Sequence, residues 1–102
     1  VGFGDGATVP IMTTGAGDII HKIEFLPTVA YNGTSPTITV GISGSTSKYT
    51  TSSQCNLADT TALYQANPGK VAQGSESLIA TQATGGSTAG SVNITVFYST
   101  PA

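Results

Sequence analysis

The chain has 102 residues with three Lys, no Arg, five acidic residues and one His, a net charge of −2. That length suits one domain with a single core and not two, and Lys22, Lys48 and Lys70 are scattered singly, which excludes a basic tract of the kind that meets phosphates. Charged residues make up 8% of the chain where about 25% is typical, so Ser, Thr, Gly, Asn and Gln must clothe the surface, a balance common in chains covered by neighbours or persisting outside cells.

No apolar run approaches the roughly 20 residues of a membrane helix, and no charged segment followed by an apolar one marks a signal peptide. Beginning at Val1 rather than Met, the chain reads as cut, processed or trimmed. Cys55 is its only cysteine. No internal disulfide can staple it in the way common to small extracellular domains, so core packing or oligomerisation must hold it.

In chain order, residues 1–17 read as a Gly-rich extended N-terminal arm, and 18–102 as a single β-sandwich domain. Within the arm Ala7–Met12 is extended, and Pro10 restricts it to an edge strand or to an arm able to cross to another subunit. Asp18–Leu26 is the first long strand, β-branched and aromatic rather than helical. Its alternation puts Ile19, His21, Ile23 and Phe25 on one face and Ile20, Lys22, Glu24 and Leu26 on the other, with Pro27 ending the run.

Thr28–Tyr31 continues extended to Asn32-Gly33-Thr34-Ser35-Pro36, where Asn-Gly offers the positive φ angles of a type I′ hairpin turn. Thr37–Ile42 alternates, with Ile38, Val40 and Ile42 inward, and Gly41 marks a bulge or a close neighbour. Tyr49 anchors a short strand within the Ser/Thr/Gly-rich stretch 43–53. Residues 54–74 are the least legible: 56–59 could open a turn of helix capped by Asp59 or Thr60, and 60–64 has equal claim to strand. Asn67-Pro68-Gly69-Lys70 is a turn, with short strands at Ala62–Gln65 and Lys70–Ala72.

The end of the chain, Leu78–Ser99, reads as a β-hairpin. Its arms are Leu78–Ala83 and Val92–Tyr98, the second with Val92, Ile94, Val96 and Tyr98 on one face and Asn93, Thr95 and Phe97 on the other. The sum is about seven or eight short strands with turns between them. They imply an all-β fold, an antiparallel two-sheet β-sandwich, jelly-roll-like or Ig-like.

Chemistry-bearing residues are few. His21 and Cys55 form the one conceivable thiol dyad, but the Ser/Thr-rich surroundings of Cys55 offer neither a helix terminus nor a cation to lower its pKa. Asp5, Asp18, Glu24, Asp59 and Glu76 have no metal-ligand spacing with His21 or Cys55. Gly2-Phe3-Gly4-Asp5-Gly6 has the look of a phosphate loop but lacks the strand before and the helix after. Two glycosylation sequons, at Asn32 and Asn93, fall in a turn and in a regular strand. Tyr31, Tyr49, Tyr64 and Tyr98 are candidates for a sugar-stacking platform, against a reading as ordinary packing residues. No catalytic, cofactor-binding or metal residue is assigned, and no cofactor and no enzymatic activity are expected.

Three pieces kept in order carry a resemblance: Asp18-Ile-Ile-His-Lys-Ile-Glu-Phe25, then Ala30-Tyr-Asn-Gly-Thr-Ser-Pro-Thr-Ile-Thr-Val-Gly41, then Gly85-Gly-Ser-Thr-Ala-Gly-Ser-Val-Asn-Ile-Thr-Val-Phe-Tyr98. Over most of residues 18–98, the middle third apart, the chain resembles small β-sandwich structural proteins of tailed bacteriophage virions: capsid decoration, head-fibre and tail-fibre modules. The resemblance implies a non-enzymatic structural protein in the virion, on the capsid surface rather than the tail. It implies a homo-oligomer, a trimer by preference, seated on neighbouring virion proteins such as the major capsid protein, with no nucleic-acid or membrane partner. A tail-fibre or baseplate tip domain that binds a host receptor or glycan is the alternative.

Overall fold

The computed structural model describes residues 1–72 and 74–100. Gln73, inside the poorly legible middle, and Pro101 and Ala102, at the end of the expected 18–102 domain, lie outside the described residues. The strands are β1 (Thr8–Thr13), β2 (Ile19–Val29), β3 (Thr37–Ile42), β4 (Ser45–Thr50), β5 (Tyr64–Ala66), β6 (Lys70–Val71), β7 (Ser77–Ala83) and β8 (Ser91–Ser99). All pair antiparallel, in two sheets. The first sheet runs β1-β7-β3-β4. The second is built on β2, with β8 along one edge and β5 then β6 along the other. The fold is therefore the all-β, two-sheet sandwich expected from the alternating apolar runs.

The inner faces meet in one core. Ile20, Ile23 and Phe25 of β2, Ile38 and Val40 of β3, Leu78 and Ala80 of β7 and Val92 of β8 are fully buried, joined by Tyr31, Tyr49, Cys55 and Leu57. Each large apolar side chain removed from water in this way contributes on the order of 1.5–3 kcal/mol, and these residues hold the sheets face to face with no disulfide.

Several expectations are corrected. On β2 Ile19 and His21 do not share the face of Ile23 and Phe25: Ile20 and Pro27 join those two in the buried set. The register against β8 slips between Ile20 and Lys22, a bulge at His21 that turns Ile20 inward and His21 out to solvent. Pro27 does not end the strand. It lies opposite Val92, beyond the reach of β5, so its missing N–H deprives no neighbouring strand of a bond.

The C-terminal pair is not a hairpin. β7 lies between β1 and β3 in the first sheet while β8 pairs with β2 in the second, so residues 84–90 cross from sheet to sheet. Residues 30–36 cross likewise between β2 and β3, and the positive φ there belongs to Ser35 (48°) rather than to Asn32 and Gly33. Alternation marks a strand and its buried face, but it does not name the partner.

Around Pro68 the chain does not reverse. β5 and β6 both run antiparallel to β2, from Tyr64 opposite Phe25 to Val71 opposite Ile19, so Asn67-Pro68-Gly69 is an outward kink in one interrupted strand. Gly69 does take the positive φ expected of it, at 58°. Within the N-terminal arm, β1 is an edge strand on β7, one of the two places open to it, and Val1–Phe3 lies along β8. Residues 56–59 form a turn rather than a helix, with the Asn56 side chain accepting from the Ala58 N–H. The bulge marked by Gly41 is present, since Gly41 alone stands opposite residues 46–49 and a Cβ there would overlap the Ser45 carbonyl.

Candidate interaction surfaces

One end of the sandwich is made by the two crossing loops. The Thr34 N–H donates to the Gly85 carbonyl (2.9 Å) and the Gly33 N–H to the Ser87 hydroxyl (2.8 Å). The Asn32 carboxamide donates to Thr88 Oγ1 (3.0 Å) and accepts from the Thr88 N–H (2.8 Å). Side chains would prevent this approach: a Cβ on Gly33 would overlap the Thr84 carbonyl, and one on Gly85 the Thr34 carbonyl. The Asn32 sequon side chain is thus already spoken for, while Asn93 stands exposed on β8.

Beneath the loops Tyr31 is buried, and its hydroxyl donates to Gln82 Oε1 (2.7 Å). Gln82, also buried, donates through Nε2 to the carbonyls of Gly2 and Gly6, both at 2.8 Å. Burial raises the Tyr31 phenol, so it stays protonated and remains a donor. The same amide therefore ties the N-terminal segment to the loop end.

The second surface is the outer face of the β2 sheet. Cross-strand partners share a face, so Lys22 and Phe97, Glu24 with Thr95 and Gln65, Leu26 and Asn93, and Ile19 and Val71 all point away from the core. Leu26, Phe97 and Val71 remain more than two-fifths exposed. Lys22 Nζ stands 3.1 Å from Glu24 and 4.5 Å over the Phe97 ring. A charged pair thus sits among apolar side chains on one flat face.

The residues weighed for chemistry are dispersed. Cys55 lies in the core, and burial pushes its thiol up to about 11, away from the reactive thiolate. His21 is exposed and bonded to the Ser99 hydroxyl (2.8 Å), so the pair does not come together. Each carboxylate has a partner within the chain. Asp5 accepts from the Gly2 N–H, Asp18 from the Gly15 N–H, and Glu24 pairs with Lys22. Asp59 accepts from Thr61 and from the Tyr64 hydroxyl, which hold its carboxyl below the usual range.

Glu76 takes Lys48 at 2.6 Å and the Tyr49 hydroxyl at 2.8 Å, and these bonds lower its pKa. The network pins β4 to the start of β7, a tie that sequence separation hid. Tyr31, Tyr49 and Tyr64 spend their hydroxyls on these internal bonds, leaving Tyr98 as the exposed tyrosine, so no four-tyrosine platform forms. Among the described residues no group of three or more His, Cys, Asp or Glu gathers, no pocket opens, and no helix is long and apolar enough to cross a membrane. Compared with protein-family models, curated proteins and solved structures, the chain finds no match in any of the three.

Proposed function

We propose that the protein is a structural protein of a phage virion, a decoration or cement protein on the outer capsid surface, without enzymatic activity. The observation that carries this reading is the outer face of the β2 sheet, where Leu26, Phe97 and Val71 stand exposed around the Lys22–Glu24 pair. It is a surface suited to another protein rather than to a small molecule, and it accords with the resemblance carried by residues 18–25, 30–41 and 85–98. A standard protein interface takes about 800 Å² per partner, roughly a sixth of the 5044 Å² that the chain exposes, so one sheet face is enough to dock it.

Cementing is the mechanism this reading implies. Each copy lies across neighbouring shell subunits, and the area it buries exists only in the assembled shell, so assembly is favoured over dissociation. The partners are further copies and the major capsid protein. The tail-tip reading gains no support from the tyrosines, three of which are tied into the fold.

The test is antibody labelling of intact particles, viewed by electron microscopy. Labelling over the capsid lattice is expected, with shells lacking the protein breaking at lower temperature. Labelling confined to the tail tip would overturn the cement reading, and particles without label would remove the virion assignment altogether.

A further inference from the structure

The two sheets have four outer edges, and three of them are blunted. β1 carries Pro10 and a register slip beside it. β4 carries Lys48 and pairs irregularly with β3. The edge formed by β5 and β6 is broken by Asn67-Pro68-Gly69. Such devices keep an edge from templating another chain.

β8 is different. Among the described residues its outer edge is occupied only where Val1–Phe3 bonds to Gly90 and Val92, and Asn93–Ser99 contains no proline and no charge. The direction of its free groups can be worked out. Val92 exchanges both main-chain bonds with Val1, so its N–H and C=O point outward. Main-chain direction alternates along a strand, so those of Ile94, Val96 and Tyr98 point outward too, while those of Asn93, Thr95 and Phe97 serve β2. No hydrogen bond occupies the outward groups of Ile94, Val96 and Tyr98 among the described residues.

We propose that this edge pairs with the β8 edge of a second copy, antiparallel about a two-fold axis at Val96. Three features select a copy of the same chain. With the axis at Val96, Ile94 faces Tyr98 of the other copy and Tyr98 faces Ile94, so every residue with outward groups meets another such residue. The free run Asn93–Ser99 is used from end to end, and the other copy's strand stops where Val1 already lies beside Val92. No charged side chain is placed opposite another, and half-buried Ile94 and Val96 with exposed Tyr98 extend the apolar inner face across the seam. An isologous edge used once closes as a dimer, so this contact gives two-fold rather than three-fold assembly. It stands apart from the virion reading and is expected of the protein in solution.

The test is sedimentation velocity over a concentration series, with amide exchange read on the same samples. The mass is expected to move from 10.2 kDa toward twice that value, and protection at Ile94, Val96 and Tyr98 is expected to rise with concentration. Val96→Pro removes an N–H that has no partner within the chain, at an edge position where proline is tolerated. Losing both bonds between the two Val96 residues weakens the dimer about thirtyfold. Thr95→Lys, opposite Glu24, keeps the monomer intact and sets two cations beside the axis; it too is expected to give monomer. A wild-type mass fixed at 10.2 kDa, a trimer mass, dimers unaffected in both variants, or protection at the three amides independent of concentration would each overturn the proposal.

Discussion

Replacing Gln82 with Leu tests how the loop end is held together. Gln82 is 3% exposed, accepts from Tyr31 and donates to the carbonyls of Gly2 and Gly6. At about 1 kcal/mol net for each neutral hydrogen bond, their loss costs about 3 kcal/mol, and the stranded Tyr31 hydroxyl adds about 1–2 more, offset in part by the apolar leucine. The expected destabilisation is about 3–4 kcal/mol, a large share of the roughly 5–15 kcal/mol typical of a domain. Tyr31→Phe removes one of the bonds and orphans one acceptor, and should cost only about 1–1.5 kcal/mol. Urea unfolding at constant m measures both. The double variant should show coupling of about 1 kcal/mol between the sites. Amide exchange gives the local readout: the Phe3 N–H, bonded to the Gly90 carbonyl, should lose protection in Gln82→Leu beyond what the global change explains. A loss below about 1 kcal/mol for Gln82→Leu, or unchanged protection at Phe3, would refute the reasoning.

The crossing loops should be intolerant of side chains. Gly33→Ala and Gly85→Ala each force a carbonyl aside and should cost about 2–3 kcal/mol in urea, with Gly85 the worse because its φ is +64°; either variant within about 0.5 kcal/mol of wild type would contradict the interlock. Glu76 gives a pH signature. Its folded pKa is held below the ordinary 4.5, first by Lys48 and then by Tyr49. Its contribution is therefore complete above 4.5 and is lost as pH falls through the lower folded value. Glu76→Gln should flatten that limb of the stability curve and cost about 1.5–3 kcal/mol at pH 7, and an unchanged limb would speak against the network. Cys55, with its thiol pushed up to about 11, has about one thiolate in a thousand at pH 8 and should resist iodoacetamide until urea unfolds the chain; fast labelling of native protein would show the burial to be wrong.

How much could be read in advance follows from what each signal encodes. Alternation over Thr37–Ile42 and Val92–Tyr98 reports a local property, one face in the core, and both strands appear with the inner faces expected as far as Val96, while Tyr98 at the end of β8 is exposed. Strand pairing is not local. The seven residues between β7 and β8 are compatible with a hairpin and with a crossing, and the crossing is made because β1 and β3 take both edges of β7, leaving β8 to pair with β2. The bulge at His21 is not legible in the sequence for the same reason, since it exists only in the register against β8. The Lys48–Tyr49–Glu76 cluster joins residues far apart in the chain that no spacing rule connects.

The resemblance motifs have a physical explanation. Asn32–Pro36 and Gly85–Gly90 touch each other, and Gly33 and Gly85 are required because two backbones meet there. A pattern imposed by such an approach reports the fold, and it would persist in a sandwich of any function. The residues that would decide attachment to a capsid are those the fold leaves free, on the outer face of the β2 sheet. Leu26 is one of them: 42% exposed, opposite Asn93, and absent from the core. Leu26→Gln should therefore leave stability within about 0.5 kcal/mol of wild type while lowering retention on particles. A variant that loses stability but keeps its retention would place the contact elsewhere. Because the interlocked glycines are held in the crossing loops while Leu26 faces outward and packs against no core residue, folding and attachment can be broken one at a time.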